Sequence, residues 1–244
     1  MRRLAPLLLL PLLAGCGSDP RAQPAAAATA TATPHFAPQR ERDPAPAGRW
    51  MTARVTQRVV MRSAPRGRAL ETLKPRTEFG SRKVVSVTAR RAGWLKVVTP
   101  ELANGRPGWV RESKVRLGAV GVSIHVDRSA RRLTVRRGAS IVRRLPIAVG
   151  RPGTETPLGR FAVTDRLRTQ RDDSPYGCCA LALSGHQTKL LPGWPGGDRL
   201  AIHATPDAAS VGRAASLGCM RAHTGDARAL MRIVPLGTPV FIRA

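Results

Sequence analysis

Apolar and polar residues alternate over short stretches in the second half of the chain, which is the pattern of half-buried β-strands. Residues 123–127 and 132–136 are the clearest pair, and a short turn at residues 128–130 joins them. Residues 141–149 continue the pattern, and residues 239–242 repeat it after a glycine near the C-terminus. Because successive side chains of a strand point to opposite faces, each stretch can bury one face. We therefore predict that this half is mainly β.

One segment of the same half has helical spacing instead. Within residues 225–234, Ala227, Leu230, Met231 and Val234 stand at positions i, i+3, i+4 and i+7. Side chains at this spacing share one face of an α-helix. The pattern predicts a single short helix close to the C-terminus.

The preceding part of the chain consists of short runs rich in β-branched residues. These runs, at residues 53–61, 83–88 and 94–99, are separated by Gly, Pro and Asn turn signals. Close spacing of short strands predicts a small all-β unit over residues 49–118. The chain of 244 residues thus divides into two predicted folded units, of which the second covers residues 119–244.

The N-terminus has the layout of a secretory signal peptide. Arg2 and Arg3 precede an apolar stretch at residues 4–13 that is too short to span a bilayer. Residues 17–48 are rich in Ala and Pro and have no apolar periodicity, so they are predicted to form a disordered tether. We expect an exported protein whose signal peptide covers residues 1–15.

The last residues of this signal resemble a bacterial lipobox, with the sequence LAGC ending at Cys16. The resemblance implies a lipoprotein in which Cys16 is lipidated and residues 16–48 tether the folded part to a membrane. Such a protein is expected in the periplasm or at the outer face of the cytoplasmic membrane and the cell wall. The alternative is an ordinary cleaved signal in which Cys16 stands by chance.

The chain is strongly basic, with 41 Lys and Arg against 15 Asp and Glu and a net charge of +26. A charge of this size suggests an anionic partner. The basic residues are spread along the chain, and no zinc-finger, basic-zipper or base-stacking signature accompanies them, so we do not expect nucleic acid to be that partner. The cell wall and acidic lipid headgroups remain. A codon bias toward Arg would explain the charge without any partner.

The first unit resembles a bacterial SH3-like domain in three motifs. They are VMRSAP at residues 60–65, GWLKV at residues 93–97 and NGRPGWV at residues 104–110. The resemblance implies a small β-barrel that binds the cell wall or orients the neighbouring unit. It assigns no ligand contacts, and Trp94 and Trp109 are either core residues or the lining of a groove.

A cysteine and a histidine in the second unit have the chemistry of a nucleophile and its base. Cys219 stands in the sequence SLGCMR, and His203 stands sixteen residues upstream, in AIHAT. A thiol is mostly protonated at neutral pH and the thiolate is the nucleophile, so an imidazole that accepts the proton is needed. Gly218 allows backbone amides to turn toward the attacked carbonyl. His223 is the alternative base, because it also lies close to Cys219 in sequence.

The motifs around these residues resemble the catalytic domain of L,D-transpeptidases of the YkuD type. The matching stretches follow one another in the family's order: TPLGRF at 156–161, IHAT at 202–205, VGRAASLGCMR at 211–221, DA at 226–227 and GTPV at 237–240. The resemblance covers residues 121–244. It implies that the fold is mainly β, with a YkuD-type β-sandwich that follows the small SH3-like barrel and carries a short helix after the cysteine motif.

The family resemblance also implies a reaction on peptidoglycan stem peptides. Cys219 would attack the carbonyl before the terminal D-residue of a tetrapeptide stem and form a thioester, which a side-chain amine of a second stem would resolve into a 3→3 cross-link. His203 would accept and donate the proton, and the backbone carbonyl of Ala204 would orient its ring. No metal or cofactor is expected. The alternatives are an L,D-carboxypeptidase that uses the same cysteine, and a non-catalytic wall-binding lipoprotein.

Three further residues take supporting roles by the same resemblance. Ser216 and Gly218 would shape the turn and the oxyanion site. Arg221 would steady the active-site loop or meet a substrate carboxylate, which an Arg fork suits. Tyr176, which the resemblance does not assign, either faces the donor stem or is a packed ring.

The chain departs from the family pattern at two positions. Leu217 stands where the family usually has His, and Ala204 where it usually has Gly; Leu217 motivates the non-catalytic alternative. Cys178 and Cys179 are a further unusual feature, since a bridge between adjacent cysteines is strained. They are either small buried thiols of a strand or, in the sharper hypothesis, one of them forms a reversible disulfide with Cys219.

Overall fold

The computed structural model describes residues 48–169, 174–193 and 196–244. The predicted signal peptide, Cys16 and nearly all of the predicted tether lie outside these residues. The described chain is mainly β, as predicted, and it contains a single α-helix. In these three stretches no helix is both long and apolar enough to cross a membrane.

Seven strands of the first half form one sheet, which we call the N-terminal sheet. The strands are β1 (Trp50–Val55), β2 (Val59–Arg62), β3 (Ala69–Leu73), β4 (Val84–Arg91), β5 (Trp94–Val98), β6 (Gly108–Arg111) and β7 (Val115–Val120). Their spatial order is β3-β2-β6-β5-β4-β1-β7, and neighbouring strands are antiparallel. The sheet has its own apolar core, which includes Ala53, Met61, Leu73, Val87 and Leu95.

The structure divides the predicted run at residues 53–61 into β1 and β2. Thr56, Gln57 and Arg58 are polar and exposed, so they interrupt the alternation that a continuous strand would need. Strand β7 runs through residues 118 and 119, where the sequence places the boundary between two units. That division and the likeness of the N-terminal sheet to an SH3-like domain stay predictions.

Most strands of the second half form one larger sheet, the C-terminal sheet. Its strands are β8 (Val122–Asp127), β9 (Arg132–Arg137), β10 (Ser140–Pro146), β12 (Gly159–Arg168), β13 (Cys179–His186), β14 (Arg199–Ala204), β16 (Met220–Ala222) and β17 (Pro239–Arg243). The order is β10-β9-β8-β17-β12-β13-β14-β16. A separate parallel pair is formed by β11 (Val149–Gly150) and β15 (Ala214–Ser216).

Strand β12 connects two parts of the C-terminal sheet. One part contains β8, β9, β10 and β17, and the other contains β13, β14 and β16. The first residues of β12 pair with β17 and its last residues pair with β13, and the register shifts between Val163 and Asp165. Such an irregularity bends a strand. Residues from both parts, such as Ile124 and Leu181, belong to one continuous apolar core. The two parts of the sheet therefore pack over a common core.

The predicted helix at residues 225–234 is confirmed as α1 (Thr224–Ile233). It buries Ala227, Leu230 and Met231, which are three of the residues that predicted it, and it packs against β13 and β14. Asp226 lies in its first turn, where unpaired backbone N–H groups favour a negative charge. This carboxylate also accepts a hydrogen bond of 2.6 Å from Arg143.

The alternation of side chains gives β13, β14 and β16 two distinct faces. Leu181, Ile202 and Met220 lie in the apolar core, on what we call the core face. The register pairs Ala180 with His203 and His203 with Arg221, so the side chains of these three residues share the opposite face, which we call the site face. Residues one position apart in sequence therefore serve different environments.

Loops of the N-terminal sheet contact the strands next to the site face. The side chain of Asn104 donates a hydrogen bond of 2.6 Å to the backbone oxygen of His186 and accepts one of 2.8 Å from its backbone nitrogen. Glu78 forms an ion pair with Arg199, the first residue of β14. The N-terminal sheet thus braces the ends of β13 and β14.

Candidate functional site

Cys219 stands at the end of a tight turn between β15 and β16. Gly218 in this turn has a φ of +120°, a conformation that side-chain-bearing residues rarely adopt. The hydroxyl of Ser216 accepts a hydrogen bond of 3.0 Å from the Gly218 nitrogen and donates one of 2.5 Å to the Cys219 oxygen. Ser216 therefore shapes the turn, as the resemblance implied, and the Cys219 side chain is left partly exposed.

The expected role of Gly218 in shaping an oxyanion site stays a prediction. Its own N–H group donates to Ser216, so a donor to a substrate carbonyl would have to be another backbone amide of the turn. A side chain at position 218 would also place its Cβ 2.1 Å from Nε2 of Gln187. Gly218 is thus required by the turn and by the close approach of Gln187.

His203 lies on β14, and its imidazole is buried. Its Nδ1 atom stands 2.6 Å from the backbone oxygen of Ala204, the contact that the resemblance implied. A carbonyl oxygen can only accept a hydrogen bond, so Nδ1 carries the proton. The other ring nitrogen, Nε2, then has its lone pair available to accept a proton.

The sheet register brings Cys219 and His203 to the same face. Residue 221 pairs with residue 203 in the parallel ladder of β14 and β16, and Cys219 precedes Arg221 by two positions. The Cys219 thiol donates a weak hydrogen bond of 3.8 Å to the backbone oxygen of Arg199 on the same strand as His203. Tyr176 covers this corner, because its ring lies 5.1 Å from the His203 ring in an edge-on arrangement.

Electrostatics at this corner favour a neutral thiol and a neutral imidazole. Burial raises the pKa of Cys219, against the opposing effects of a hydrogen bond from the Ala201 backbone and of the Arg221 charge. Burial, partly opposed by the Ala204 carbonyl and assisted by the Arg221 charge, lowers the pKa of His203 to about 4. At neutral pH the resting pair is therefore uncharged.

Arg221 and Tyr176 lie beside Cys219 and His203, and their expected role as substrate contacts stays a prediction. The guanidinium of Arg221 is partly buried and stands 3.6 Å from the exposed carboxylate of Asp207. Its charge acts on both His203 and Cys219. Burial raises the pKa of Tyr176, and the Cys219 group acts in the same direction.

Gln187 is a residue of this site that the sequence did not single out. Its buried side-chain amide donates hydrogen bonds of 3.0 Å to the backbone oxygens of Thr154 and Leu217, and its oxygen accepts one of 3.0 Å from the Lys189 nitrogen. One side chain therefore connects three loops beside the cysteine turn. The only signal in the sequence was a polar residue directly after the apolar strand β13.

The loop at residues 150–157 holds the same turn from its other side. The hydroxyl of Thr156 donates a hydrogen bond of 2.8 Å to the Gly218 oxygen and accepts one of 2.9 Å from the Gly150 nitrogen. The hydroxyl of Thr154 donates to the Ser216 oxygen at 3.2 Å. The Gly- and Pro-rich motif before β12 is thus a support for the cysteine turn.

The remaining candidate cysteines and histidines take no part in this cluster. Cys178 and Cys179 are free thiols, and Cys179 lies in the core, where burial and the neighbouring Cys178 thiol raise its pKa to about 12. His223, the alternative base, is exposed at the start of α1. Within the described stretches, no group of three His, Cys, Asp or Glu residues is arranged to hold a metal ion.

Known proteins provide an independent comparison. Residues 121–242 match the L,D-transpeptidase catalytic domain family named YkuD. A relative from Bacillus subtilis (strain 168), to which this activity is assigned provisionally, is 36% identical over 119 residues, which cover 49% of this chain and 64% of that protein. The chain therefore spans less than two thirds of the length of this relative.

Two solved structures are also similar to the chain. An L,D-transpeptidase from Mycobacterium tuberculosis H37Rv is 17% identical with a TM-score of 0.43, and the match covers 66% of this chain and 90% of that one. The catalytic domain of an E. faecium L,D-transpeptidase is 23% identical with a TM-score of 0.36, and the match covers 50% of this chain and 96% of that one. The family assignment rests on the sequence match, which includes both His203 and Cys219: through residues 121–242 the chain belongs to the YkuD family of L,D-transpeptidase catalytic domains.

Proposed function

We propose that this protein is a cysteine-dependent L,D-transpeptidase that acts on peptidoglycan tetrapeptide stems. The observation that carries the proposal is the placement of Cys219 and His203 on one face of the sheet, with the His203 Nδ1 proton held by Ala204. Because Nδ1 carries the proton, Nε2 has a free lone pair that can accept a proton and return it. Tyr176 and Arg221 flank the pair and are proposed to contact the donor stem.

In the first half-reaction, the sulfur of Cys219 attacks the carbonyl before the terminal D-alanine. His203 Nε2 accepts the thiol proton as the carbon–sulfur bond forms, because the resting thiol is protonated. The same nitrogen then donates this proton to the amine of D-alanine as the carbon–nitrogen bond breaks. The product is a thioester on Cys219.

In the second half-reaction, a side-chain amine of another stem attacks the thioester. His203 takes a proton from this amine as the new carbon–nitrogen bond forms, and it returns the proton to the sulfur as the thioester breaks. The product is a 3→3 cross-link. Water in place of the amine would make the enzyme an L,D-carboxypeptidase, and the first half-reaction would be the same.

The rest of the chain is proposed to place this reaction at the cell wall. A lipid on Cys16 and the tether at residues 16–48 would hold the folded part outside the cytoplasm. The N-terminal sheet, in the role expected of an SH3-like domain, would orient the catalytic half. The two hydrogen bonds between the Asn104 side chain and the backbone of His186 support an orienting role, because His186 directly precedes Gln187.

The test is incubation of the full chain with tetrapeptide muropeptides, followed by mass spectrometry of the products. Cross-linked dimers with released D-alanine are the expected result. Tripeptides alone would establish the carboxypeptidase instead. A chain that gives neither turnover nor a carbapenem adduct on Cys219 would be the non-catalytic lipoprotein that Leu217 motivated.

A further inference from the structure

A cleft of about 460 Å³ on the N-terminal sheet is lined by cations and contains no carboxylate. Five basic residues, contributed by separate segments, line it: Arg58, Arg62, Arg66, Arg111 and Lys114. Residues 49–118 contain 17 Lys and Arg against four Asp and Glu, so basic surface by itself is common in this half. What distinguishes the cleft is that five cations from separate segments line it with no acidic partner among the described residues.

Some cations elsewhere in the structure are paired with acids. Examples are the ion pairs Arg90–Glu112, Arg143–Asp226 and Lys189–Glu155. Lys189 and Glu155 also line the other main cleft, so that cleft carries both signs of charge. By contrast, none of the five cations of the N-terminal cleft forms an ion pair with any residue that the structure describes.

Several of these side chains are held in place before any ligand arrives. The Arg62 guanidinium donates a hydrogen bond of 2.9 Å to the Gly67 oxygen. Arg111 lies over the Trp94 ring at 4.8 Å. Arg66 has a φ of +62° in a turn that two backbone hydrogen bonds close. The turn therefore fixes the direction of the Cα–Cβ bond of Arg66. A cationic site that is already ordered loses less conformational entropy when an anion binds.

We propose that this cleft binds a flexible chain of phosphodiester-linked polyol units. The tetrahedral oxygens of a phosphate accept hydrogen bonds from several directions, whereas a planar carboxylate is suited to one Arg fork. Cations that converge on a cleft from separate segments match the first geometry. Val60 lines the same cleft and is 44% exposed, which gives the carbon backbone of a polyol an apolar contact.

Two other polyanions fit the cleft less well. Single-stranded nucleic acid binds through stacking on open aromatic faces, but Trp94 is only 4% exposed and Arg111 covers its ring. A lipid surface approaches a protein from one side, whereas the cations here come from separate segments that line one cleft. A flexible polymer can enter such a cleft and contact several of these segments.

The cleft lies away from the contacts that brace the catalytic half. Trp94 begins β5, and the loop that follows this strand carries Asn104, which contacts His186. The proposed polymer site and the catalytic corner are thus connected to opposite ends of β5. The polymer site goes beyond the proposed catalytic activity and does not depend on it.

The experiment measures binding of the full chain to a synthetic glycerol phosphate oligomer across a series of salt concentrations. The test variant is the triple substitution Arg58→Gln, Arg66→Gln and Lys114→Gln. The matched control removes three exposed charges outside the cleft, by Arg54→Gln, Arg137→Gln and Arg144→Gln. Both variants are first compared with the parent chain in thermal unfolding, and Arg58→Lys with Arg66→Lys provides a version of the cleft that keeps its charge.

We expect the test triple to weaken binding at least about tenfold and to reduce the slope of log affinity against log salt by about two, since each neutralised phosphate contributes about 0.7. The control triple should lose less than about threefold, and the Lys double should keep the slope of the parent. Cys219→Ala should bind like the parent, which separates this result from any failure of catalysis.

Equal losses in the test and control triples would overturn the proposal, because binding would then follow overall charge. Probes of other chemistry give further ways to refute it. Poly-L-glutamate of equal charge that binds as tightly would remove the phosphate preference. A further contrary outcome is that the test triple loses more affinity for oligothymidine or for phosphatidylglycerol vesicles than for the glycerol phosphate oligomer. That result would assign the cleft to nucleic acid or to a lipid surface.

Discussion

The two faces of β13, β14 and β16 differ completely, although alternate residues of the same three strands form them. On the core face, Leu181, Ile202 and Met220 are almost fully buried against α1 and the rest of the sheet. On the site face, the neighbouring residues His203 and Cys219 form a cluster with hydrogen bonds to backbone oxygens. One face supplies apolar burial and the other carries the proposed chemistry.

This difference shows how a small sheet can hold reactive groups without depending on them for stability. The strands are fixed from behind by apolar packing, which is roughly proportional to the area removed from water. The side chains on the site face do not contribute to this packing. They can therefore be small, as Ala180 and Ala201 are, or reactive. Substitutions on the two faces should therefore separate activity from stability.

The largest expected effect is on activity, from Cys219→Ala. Removing the sulfur should abolish the covalent carbapenem adduct and all release of D-alanine, because Cys219 is the thiol beside His203. The midpoint of thermal unfolding should change by less than about 2 °C, since the side chain is small and partly exposed. Intact-protein mass spectrometry and calorimetry measure the two effects. A persistent adduct in this variant would place the nucleophile elsewhere.

The neighbouring substitution Met220→Ala should have the opposite profile. Met220 is fully buried on the core face, and truncation of such a side chain costs about 2–5 kcal/mol of unfolding free energy. Urea unfolding followed by fluorescence measures this loss. At temperatures where the variant is folded, the acylation rate should stay within about threefold of the parent. A stability loss below about 1 kcal/mol would contradict the assignment of this face.

A smaller loss of activity is expected for Gln187→Ala. This change removes the amide that binds the Thr154 and Leu217 oxygens, so the cysteine turn loses one of its supports. We expect the rate of carbapenem acylation to fall about 10- to 100-fold, because small misplacements of a nucleophile are costly. Exposed Lys189→Ala is a nearby control and should be close to the parent. Equal rates for both variants would show that the turn holds without Gln187.

The smallest expected effect is the pH dependence of the acylation rate, which distinguishes a neutral Cys219–His203 pair from a thiolate–imidazolium pair. Only unprotonated His203 can accept the thiol proton, and burial lowers its pKa to about 4. The acylation rate should therefore be level around neutral pH and should fall below about pH 4. Stopped-flow acylation measures this profile. An acid limb near pH 6 or above would contradict the neutral pair.

Stability provides the control for this pH series. The unfolded His203 has its ordinary pKa of 6.5, above the folded value, so the unfolded state binds more protons between these two values. Stability contributed by the neutral imidazole is therefore present at neutral pH and is lost as the pH falls from about 6.5 toward about 4. The fluorescence of the folded chain at each pH identifies the range in which the rates report on catalysis.

Much of the fold could be predicted because its signals are local. Alternation at residues 123–127 and 132–136 predicted β8 and β9, and the helical spacing at residues 225–234 predicted α1. The break after Val55 was missed, because polar residues within a β-branched run do not by themselves tell a turn from an exposed face. Gln187 was missed for a related reason, since its function comes from loops distant in sequence.

The sequence by itself determined the mainly β fold, the short helix and the cysteine and histidine of the proposed reaction. The β fold and the helix follow from periodicity, which is a local property, and the cysteine and histidine follow from residue chemistry together with the resemblance of their motifs to a known family. The tertiary structure decided that His203 and Cys219 share a face, that the Gly218 N–H is used by Ser216 and that the resting pair is neutral. All three depend on strand register and burial, which arise only when segments far apart in the chain pack together.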